Sequence, residues 1–408
     1  MSRVLLAMSG GVDSSVAAWL LREQGHDVVG VFMRHGQEAV CDVTQLSQGK
    51  QGCCAAADAA DARRVADSLG IPFYAVNFEQ EFSRIVDYFV AEYTAGRTPN
   101  PCIVCNIWLK FGKLFEYADQ LGAEHIATGH YARVQETPDG AAALLRGLDP
   151  AKDQSYVLFG VRRELLPRLM FPVGEFRKEE IRRIAERIGL RVAAKRDSQE
   201  ICFVPNQDHA EFIRQRCGNK NTSGEIVTTD GMVVGRHDGF ERFTIGQRKG
   251  LKVAFGQPRY VVRLEADTHR VVIGTHEELA RRELFARGAN WLVRLAAAST
   301  RCGESGQKSV DSGQYDEGLG IGDWGLEAEA GGWRLETGKS NPQSPIPNPS
   351  FPATVKIRYR SQPAEALITL LPNDRFHVQF AEPCYGVAPG QAAVCYDGDR
   401  VLGGGWIE

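Results

Sequence analysis

The chain has 408 residues, which at roughly 100 to 200 residues per domain is enough for two or three domains with hydrophobic cores. Hydrophobic residues make up 43% and charged residues 24% of the sequence, a composition that excludes wholesale disorder. The 48 basic and 51 acidic side chains leave a formal net charge of −3. This balance excludes a protein that coats nucleic acid through its overall charge, but it allows a local basic face.

Export and membrane insertion are not expected. No apolar run approaches the roughly 18 residues that cross a bilayer, and the short apolar start at residues 4–8 leads directly into a glycine loop. The ten cysteines are irregularly spaced, which argues against a disulfide framework. We therefore expect a cytoplasmic protein with reduced thiols and no membrane partner.

The first two hundred residues alternate short apolar runs with helical patterns, which is typical of an α/β fold with a doubly wound parallel sheet. The predicted strands are 4–8, 28–33, 73–78 and 125–128, and the predicted helices are 14–24, 55–69, 114–121 and 178–188. Gly70 and Pro72 end the second of these helices. We assign residues 1–204 to this first domain.

After about residue 205 the segments become short, β-branched and separated by turn residues, which favours small antiparallel sheets or barrels. The predicted strands are 224–227, 259–264, 270–273, 354–359, 365–370, 376–380 and 392–396. We therefore expect a small central β-rich domain at 205–280 and a C-terminal β-barrel at 281–408. Residues 299–350 contain ten Gly, seven Ser and four Pro, too little apolar surface to offset ordering, and we expect a flexible insertion there.

The segment SGGVDSS, residues 9–15, follows the first predicted strand and opens the first predicted helix. Glycines allow close backbone approach, hydroxyls donate hydrogen bonds, and the helix N-terminus attracts anions, so this loop predicts a phosphate site. It has neither the lysine of a Walker A loop nor the GxGxxG pattern. It resembles the PP-loop of ATP pyrophosphatases, which transfer AMP to an oxygen, and the motif leaves the acceptor open.

Two cysteine segments narrow the chemistry. In TPNPCIVCN, residues 98–106, we place Cys105 just before a helix that starts near Ile107, where the dipole favours a thiolate. Cys202 follows Lys195 and Arg196, whose charges favour a thiolate in the same way if they point inward. Zinc is disfavoured because no second ligand pair follows. An iron–sulfur cluster on Cys102, Cys105 and Cys202 stays an open alternative.

Basic residues between positions 177 and 196 suggest either a phosphate-binding stripe for RNA or a solvated helix face with Glu pairs. They are Arg177, Lys178, Arg182, Arg183, Arg187, Arg191, Lys195 and Arg196. In the C-terminal part, Arg358, Tyr359 and Arg360 combine charge with an aromatic ring, which suits an unstacked loop nucleotide.

Several motifs in order make the resemblance specific. They are SGGVDSS, GCC followed by DARRVA, NPCIVCN, TGHYAR, KDQSY, FPVG, DSQEICF, TIGQRKG, PGQ and LGGGW. Together they resemble the family of tRNA-specific 2-thiouridylases (the MnmA or TrmU family), over nearly the whole chain outside residues 295–352. At Cys102 some members carry Asp.

The resemblance implies ATP-dependent 2-thiolation of the wobble uridine of tRNA. ATP adenylates the C2 oxygen of the uracil, Cys202 carries sulfur as a persulfide, and Cys105 releases that sulfur or resolves the intermediate as a disulfide. The implied partners are the anticodon loop of tRNA and a persulfide-donating sulfur carrier protein. Mg²⁺ is expected on the triphosphate, with Asp13 as a candidate ligand. Because a disulfide requires Cα atoms within roughly 7 Å, we expect one or both cysteine loops to move.

The candidate site residues follow from these motifs and the resemblance. The expected ATP site contains Ala7, Met8, Ser9, Gly10, Gly11, Val12, Asp13, Ser14, Met33 and Gly129. The expected tRNA site contains Asn100, Pro101 and Cys102 at the target base, with His130, Lys152, Asp153, Gln154, Arg358, Tyr359 and Gln391. The competing hypotheses are a cluster-dependent thiolase on the same cysteines, an amide-forming PP-loop ligase, and a non-catalytic RNA-binding module.

Overall fold

The computed structural model describes residues 1–36, 56–195, 197, 201–204, 208–218, 221–294 and 348–408. Its helices are α1 (Val12–Glu23), α2 (Ala56–Leu69), α3 (Glu79–Thr94), α4 (Pro101–Cys105), α5 (Leu114–Gln120), α6 (Lys178–Arg187) and α7 (His209–Cys217), with a π-helical segment, Asn106–Lys113, that joins α4 to α5. Every helix in these ranges is too short or too polar to span a membrane.

The first sheet is parallel and has the strand order β3-β2-β1-β4-β7. Its strands are β1 (Arg3–Ala7), β2 (Asp27–Arg34), β3 (Phe73–Asn77), β4 (His125–Thr128) and β7 (Leu169–Met170). Alternate residues of β1 enter two different cores: Val4 and Leu6 pack with α1, α2 and α6, and Leu5 packs with α3 and α5. Both faces of the sheet are therefore covered by helices, which confirms the predicted doubly wound α/β fold.

The sequence analysis missed α3. Phe82, Ile85, Val86 and Phe89 are all buried on one side of this helix. Their spacing is that of an amphipathic helix, so the signal was present in the sequence. The helix bears on function because it forms part of the wall of the cavity described below.

The central region has a second sheet with the order β10-β11-β8-β9. Its strands are β8 (Gly224–Thr228), β9 (Val233–His237), β10 (Tyr260–Glu265) and β11 (Arg270–Gly274). β11 pairs parallel with β8, and the other two pairings are antiparallel. Phe240, Phe243, Val261 and Ile273 form its small core, and the predicted central β-rich region is confirmed.

The third sheet closes on itself. Its antiparallel strands β12 (Ala280–Trp291), β13 (Ser350–Lys356), β14 (Ala364–Leu371), β15 (Arg375–Tyr385), β16 (Ala392–Asp397) and β17 (Arg400–Ile407) form a barrel because β12 pairs with both β15 and β17. The barrel interior is apolar and contains Ile368, Phe376 and Val378. This confirms the predicted C-terminal barrel, although the strand predicted at 354–359 ends at Lys356.

A hairpin from the first two hundred residues extends the barrel sheet. β5 (Ala132–Glu136) pairs with β6 (Ala142–Arg146), and Leu145 of β6 pairs with Arg400 of β17. The three sheets belong to one compact unit. The predicted domain bounds at residues 204 and 280 stay a prediction, and the insertion expected at about 299–350 falls outside the described residues up to position 347.

Candidate active site

A cavity of about 1050 Å³ opens at the carboxyl end of the parallel sheet. Residues that follow three adjacent strands line it: Met8 after β1, Met33 at the end of β2, and Gly129 after β4. In open α/β sheets, ligands bind at this end, where neighbouring strands send their connections to opposite faces. The predicted ATP-site residues Ala7, Met8, Ser9, Gly11, Val12, Asp13, Ser14, Met33 and Gly129 all line the cavity.

The phosphate loop is closed by its own hydroxyls. Ser14 Oγ accepts a hydrogen bond from the Ser9 amide at 3.2 Å, and Ser15 Oγ donates to the Gly11 carbonyl at 2.8 Å. α1 begins at Val12, inside the loop, so residues 12–15 of the loop form the first turn of this helix. The amides at this helix end have no partner inside the helix, so the arrangement suits a phosphate group.

Two glycines allow this loop to pack closely. Gly10 has a φ of +72°, and a Cβ there would lie 2.2 Å from the Asp58 carbonyl oxygen. A Cβ on Gly129 would lie 2.8 Å from the Ser14 amide nitrogen. Gly10 is not among the cavity-lining residues, and its role is to let the loop turn against α2.

Asp13 is held by two partners from distant parts of the chain. Both of its carboxylate oxygens accept hydrogen bonds from Lys178 Nζ at 2.8 Å, and one accepts from the Tyr131 hydroxyl at 2.7 Å. Burial and the neighbouring Asp13 carboxylate raise the pKa of Tyr131, which keeps its hydroxyl a donor. Asp13 in this arrangement is a neutralised anchor, and it does not fit the predicted role of a magnesium ligand.

Asp197 pairs with three cationic side chains. It accepts hydrogen bonds from Lys152 at 2.7 Å and from Arg182 at 2.9 Å, and it forms an ion pair with Lys178 at 2.8 Å. Burial alone would raise the pKa of Asp197, but the hydrogen bonds from Lys152 and Lys178 outweigh it and hold that pKa below its ordinary value. Asp197 is therefore ionised at neutral pH.

Lys195 links the phosphate loop to helix α2. Its ammonium donates to the Gly10 carbonyl at 2.9 Å, to Asp58 at 2.5 Å and to Asp61 at 2.7 Å. Burial lowers the pKa of Lys195, but the two carboxylates raise it by a larger amount. The pKa of Lys195 is therefore above its ordinary value. Burial raises the pKa of Asp61, but Lys195 and Arg64 lower it by a larger amount, so the pKa of Asp61 is below its ordinary value.

These contacts correct both interpretations for three of the eight basic residues of the segment. Lys178, Arg182 and Lys195 point inward and bind carboxylates of other elements, so they neither form an open RNA stripe nor pair with Glu one turn away. Arg177, Arg183, Arg187 and Arg191 are exposed, and for these four the choice between an RNA-binding stripe and a solvated helix face stays a prediction. The structure does not describe Arg196.

The helix that carries the cysteines starts earlier than predicted. Asn100 is the N-cap, its side-chain oxygen accepts from the Ile103 amide at 3.3 Å, and Pro101 occupies the first turn. Cys102 therefore lies in the first turn, and Cys105 is the last residue of α4. The prediction that Cys105 precedes a helix N-terminus was wrong, because the asparagine cap and the following proline are the actual start signal.

The π-helical segment begins immediately after Cys105. The Asn106 side chain inside it donates to the Val157 carbonyl at 2.9 Å, and Asn106 is almost completely buried. Short π-helical segments inside α-helices occur frequently at functional sites. The segment lies between the cysteine turn and the regular helix α5.

Cys102, Cys105 and Cys202 all line the same cavity as the phosphate loop. Cys105 and Cys202 are half-buried, and Cys102 is exposed. Phe203, the neighbour of Cys202, packs edge-on against Phe82 and Phe89 of α3, with ring centroids 5.6 and 5.1 Å apart. The thiols therefore share an apolar and aromatic wall.

A metal cluster on these cysteines does not fit the arrangement. Within the described ranges, no three or more His, Cys, Asp or Glu side chains are grouped so that they could hold a metal ion. The iron–sulfur alternative therefore has no assembled ligand set here, and we derive no step from it.

Most of the residues that are predicted to contact tRNA also line the cavity. They are Asn100, Pro101, Cys102, His130, Lys152, Asp153, Gln154 and Tyr359. His130 is buried next to Thr128, and burial lowers its pKa well below the ordinary value, so the ring is neutral. Burial raises the pKa of Tyr359, and its ring centroid lies 6.5 Å from that of Tyr156.

Two predicted tRNA residues are not among those that line the cavity. Arg358 donates to the Ile245 carbonyl at 2.6 Å and packs against Gly246, so it joins the barrel to the central region. Gln391 donates to the carbonyls of Thr98 and Pro99 at 3.0 and 3.3 Å, which ties the barrel to the loop before Cys102. Both contacts hold backbone segments in place.

The sequence analysis missed several lining residues. Tyr131, Asp197, His35, Phe82 and Phe203 belong to the cavity wall but were not named as site residues. Asp197 and Tyr131 lay inside the motifs named above. His35 directly follows β2, and Phe82 belongs to the apolar spacing of α3, but neither signal by itself indicates a cavity. Phe82, Asp197 and Phe203 come close to the phosphate loop only when α3 and the segment after α6 pack on the sheet.

Comparison with known proteins identifies related sequences for nearly all of the described chain. Family models match residues 2–206 (tRNA methyl transferase HUP domain), 210–275 (tRNA methyl transferase PRC-barrel domain) and 339–407 (aminomethyltransferase beta-barrel domain). A protein named tRNA-specific 2-thiouridylase MnmA from Rhodopirellula baltica is 48% identical, covering 100% of this chain and 96% of the relative. Proteins of the same name from Geobacter metallireducens and Lachnoclostridium phytofermentans are 44% and 40% identical, each over 100% of this chain and over 96% and 99% of the relative.

Proposed function

The chain belongs to the family of tRNA-specific 2-thiouridylases, sulfurtransferases that modify uridine in tRNA, and we propose that it uses ATP to place sulfur at C2 of the wobble uridine. The observation that carries this proposal is that the phosphate loop, Cys105 and Cys202 line one cavity. Uracil C2 is an unreactive urea-like carbonyl, and a sulfur nucleophile needs the oxygen activated first. A nucleotide site and two thiols in one cavity supply both parts of that chemistry.

In the first step, the uracil C2 oxygen attacks the α-phosphorus of ATP and displaces pyrophosphate. The amides at the start of α1 donate hydrogen bonds to phosphate oxygens, and Met33 and Gly129, which line the same cavity, are the proposed contacts of the adenosine part. The product is an O-adenylated uracil in which AMP is the leaving group. Mg²⁺ bound to the triphosphate would neutralise phosphate charge, and no side chain is assigned to it here.

In the second step, the outer sulfur of a Cys202 persulfide attacks C2, and AMP departs. The Cys105 thiolate then attacks Cys202 Sγ, which breaks the sulfur–sulfur bond and leaves the outer sulfur on the uracil. Alternatively, Cys105 attacks first and releases hydrosulfide, which adds to C2. Both routes end with a Cys105–Cys202 disulfide, which an external thiol must reduce, and both need a sulfur carrier protein to reload Cys202.

Access of the uridine requires that it leaves the anticodon stack, as base-modifying enzymes generally require. Tyr359 is a half-buried ring on the cavity wall and is suited to stack on an extruded base. Asn100, Pro101 and Cys102 are the proposed contacts of the target base, at the turn that begins the cysteine helix. His130, Lys152, Asp153 and Gln154 are the proposed neighbouring tRNA contacts.

The test is thiolation of an unmodified tRNA transcript by Cys105→Ser and Cys202→Ser, with ATP and a persulfide donor. We expect each variant to lose 2-thiouridine formation by roughly a thousandfold or more, because each lacks a required sulfur atom. Cys217→Ser is the matched control, since Cys217 is also half-buried but does not line the cavity. Undiminished 2-thiouridine in both variants would reject the mechanism.

A second readout of the same reaction addresses the redox outcome. After a single turnover without reductant, peptide mapping of the wild-type protein should recover the Cys105–Cys202 disulfide. The nucleoside digest also distinguishes thiolation from methylation, which the descriptions of the matched family models mention. Methylated uridine without thiouridine would contradict the proposed reaction.

A further inference from the structure

Lys178 is a buried cation shared by two carboxylates that face the cavity from different segments. It is only 7% exposed. Its ammonium lies 2.8 Å from both oxygens of Asp13 in the phosphate loop and 2.8 Å from Asp197 Oδ1. Lys178 links Asp13 to Asp197 through two ion pairs. No other described lysine or arginine is paired with both carboxylates.

The donors of the Lys178 ammonium are occupied by carboxylates, which favours an indirect role over direct binding of phosphate. An ammonium has three N–H donors. The ammonium of Lys178 is already surrounded by three carboxylate oxygens, two from Asp13 and one from Asp197. A Walker lysine, by contrast, keeps its donors for the phosphates. Lys178 therefore acts on a substrate mainly through Asp13 and Asp197, the groups that it holds.

Asp13 is the first of these groups. It lies in the first turn of α1, where a bound phosphate is expected, so an uncompensated carboxylate there would repel the nucleotide. Lys178 and the Tyr131 hydroxyl compensate this charge. The pairing makes the phosphate loop compatible with a polyanion.

Lys152 is the second group, held through Asp197. Lys152 Nζ donates to Asp197 Oδ2 at 2.7 Å, its side chain is 29% exposed, and it lines the cavity. Asp197 divides its charge among Lys152, Lys178 and Arg182. Without Lys178, Asp197 would bind Lys152 more strongly and withdraw it from an anionic ligand.

We propose that Lys178 is a positioning residue for both substrates, which neutralises Asp13 for the nucleotide and occupies Asp197 so that Lys152 stays available to tRNA. The inference rests on the proposed function, because it takes ATP and tRNA as the two ligands of the cavity. It makes one side chain responsible for two affinities that otherwise depend on different residues.

The experiment measures the dissociation constants of ATP and of an unmodified tRNA transcript for Lys178→Met and for two double variants. Lys178→Met should weaken both affinities by about tenfold, from one uncompensated charge near each ligand. Asp13→Asn with Lys178→Met should restore ATP affinity alone. Asp197→Asn with Lys178→Met should restore tRNA affinity alone.

This selective rescue distinguishes positioning from a general structural role, which would lower both affinities in all three variants. If Lys178→Met does not fold, the two double variants still decide the question, since each should retain one affinity and lose the other. Lys113→Met is the surface control, because Lys113 pairs with Glu116 one turn away and does not line the cavity.

Equal affinities in wild type and Lys178→Met, or rescue of both affinities by one double variant, would overturn the inference. Failure of the wild-type protein to bind ATP or tRNA would instead reject the proposed function. The two failures are therefore distinguishable in one set of titrations.

Discussion

The two walls of the cavity are built on opposite physical principles. The charged side chains of the loop wall, which is formed by residues 9–15 with Lys178 and Lys195, are Asp13, Lys178 and Lys195, and each is paired with an opposite charge. The thiol wall, formed by residues 100–105 with Cys202 and Phe203, consists of apolar side chains and one helix start. Under the proposed function, the difference predicts a division of labour: paired charge lets the loop wall accept a polyanion, and the apolar surroundings of the half-buried Cys105 and Cys202 limit their contact with water.

The largest expected effect tests the loop wall. Replacing Lys195 by Met leaves Asp58 and Asp61 without their shared ammonium and releases the Gly10 carbonyl. We expect a loss of about 2–4 kcal/mol in the free energy of unfolding, because breaking a largely buried ion pair leaves uncompensated charge. Urea denaturation measures it, and ATP affinity should fall in parallel.

Lys249→Met is the control for this prediction, because Lys249 is exposed and lies in the central region. Wild-type stability in Lys195→Met would mean that solvent already screens the three contacts. The loop wall would then not depend on paired charge, and the contrast between the two walls would be lost.

Acid should weaken the loop wall before the thiol wall. The pKa of Asp197 is below its ordinary value in the folded protein, so its stabilising contribution is present above an unfolded pKa of about 3.9 and is lost as the pH falls through the folded value. Below about pH 4, wild type should therefore lose stability more steeply than Asp197→Asn. Urea denaturation between pH 6 and pH 3 measures the slopes, and equal slopes would contradict the assignment.

A smaller effect tests the thiol wall. Asn100→Ala removes the side-chain acceptor for the Ile103 amide and should cost about 1 kcal/mol of stability, as loss of an N-cap does. Asn100→Asp keeps an acceptor oxygen and should match wild type. Thermal unfolding compares the two variants, and an equal loss in both would show that the cap does not hold the cysteine turn.

The smallest effect concerns Cys102. Because it is exposed in the first turn of α4, a negative side chain is compatible with the helix dipole there. Cys102→Asp should keep thiolation within about twofold of wild type and add at most about 1 kcal/mol of stability. A loss as large as that of Cys105→Ser would instead show that Cys102 supplies a third essential thiol.

Local sequence was sufficient for the phosphate loop and most strands, and insufficient for the partners of the loop. SGGVDSS predicted the anion site because glycine, hydroxyl and helix-start signals all lie within seven residues. Nothing near Asp13 indicated Lys178, which lies 165 residues away in the chain. The basic segment was recognised, but its direction was not, since a run of cations has the same sequence whether it faces solvent or a buried carboxylate.

The errors in local structure have identifiable causes. The cysteine helix was placed too late because Asn100 and Pro101 were taken as a stiff loop, although together they are an N-cap and a first helical turn. Helix α3 was missed despite a regular apolar spacing. The hairpin β5–β6 could not be assigned to the barrel, because its pairing partner Arg400 lies more than two hundred residues further along the chain.

By itself, the amino-acid sequence determined the order of the three sheets and the glycine loop after β1, since each depends on neighbours in the chain. Only the tertiary structure decided that the thiols and the loop share a cavity, and that Lys178 and Lys195 neutralise carboxylates in and beside the loop. Such contacts join residues whose separation in sequence contains no information about their distance in space, and they form only when the helices pack on the sheet.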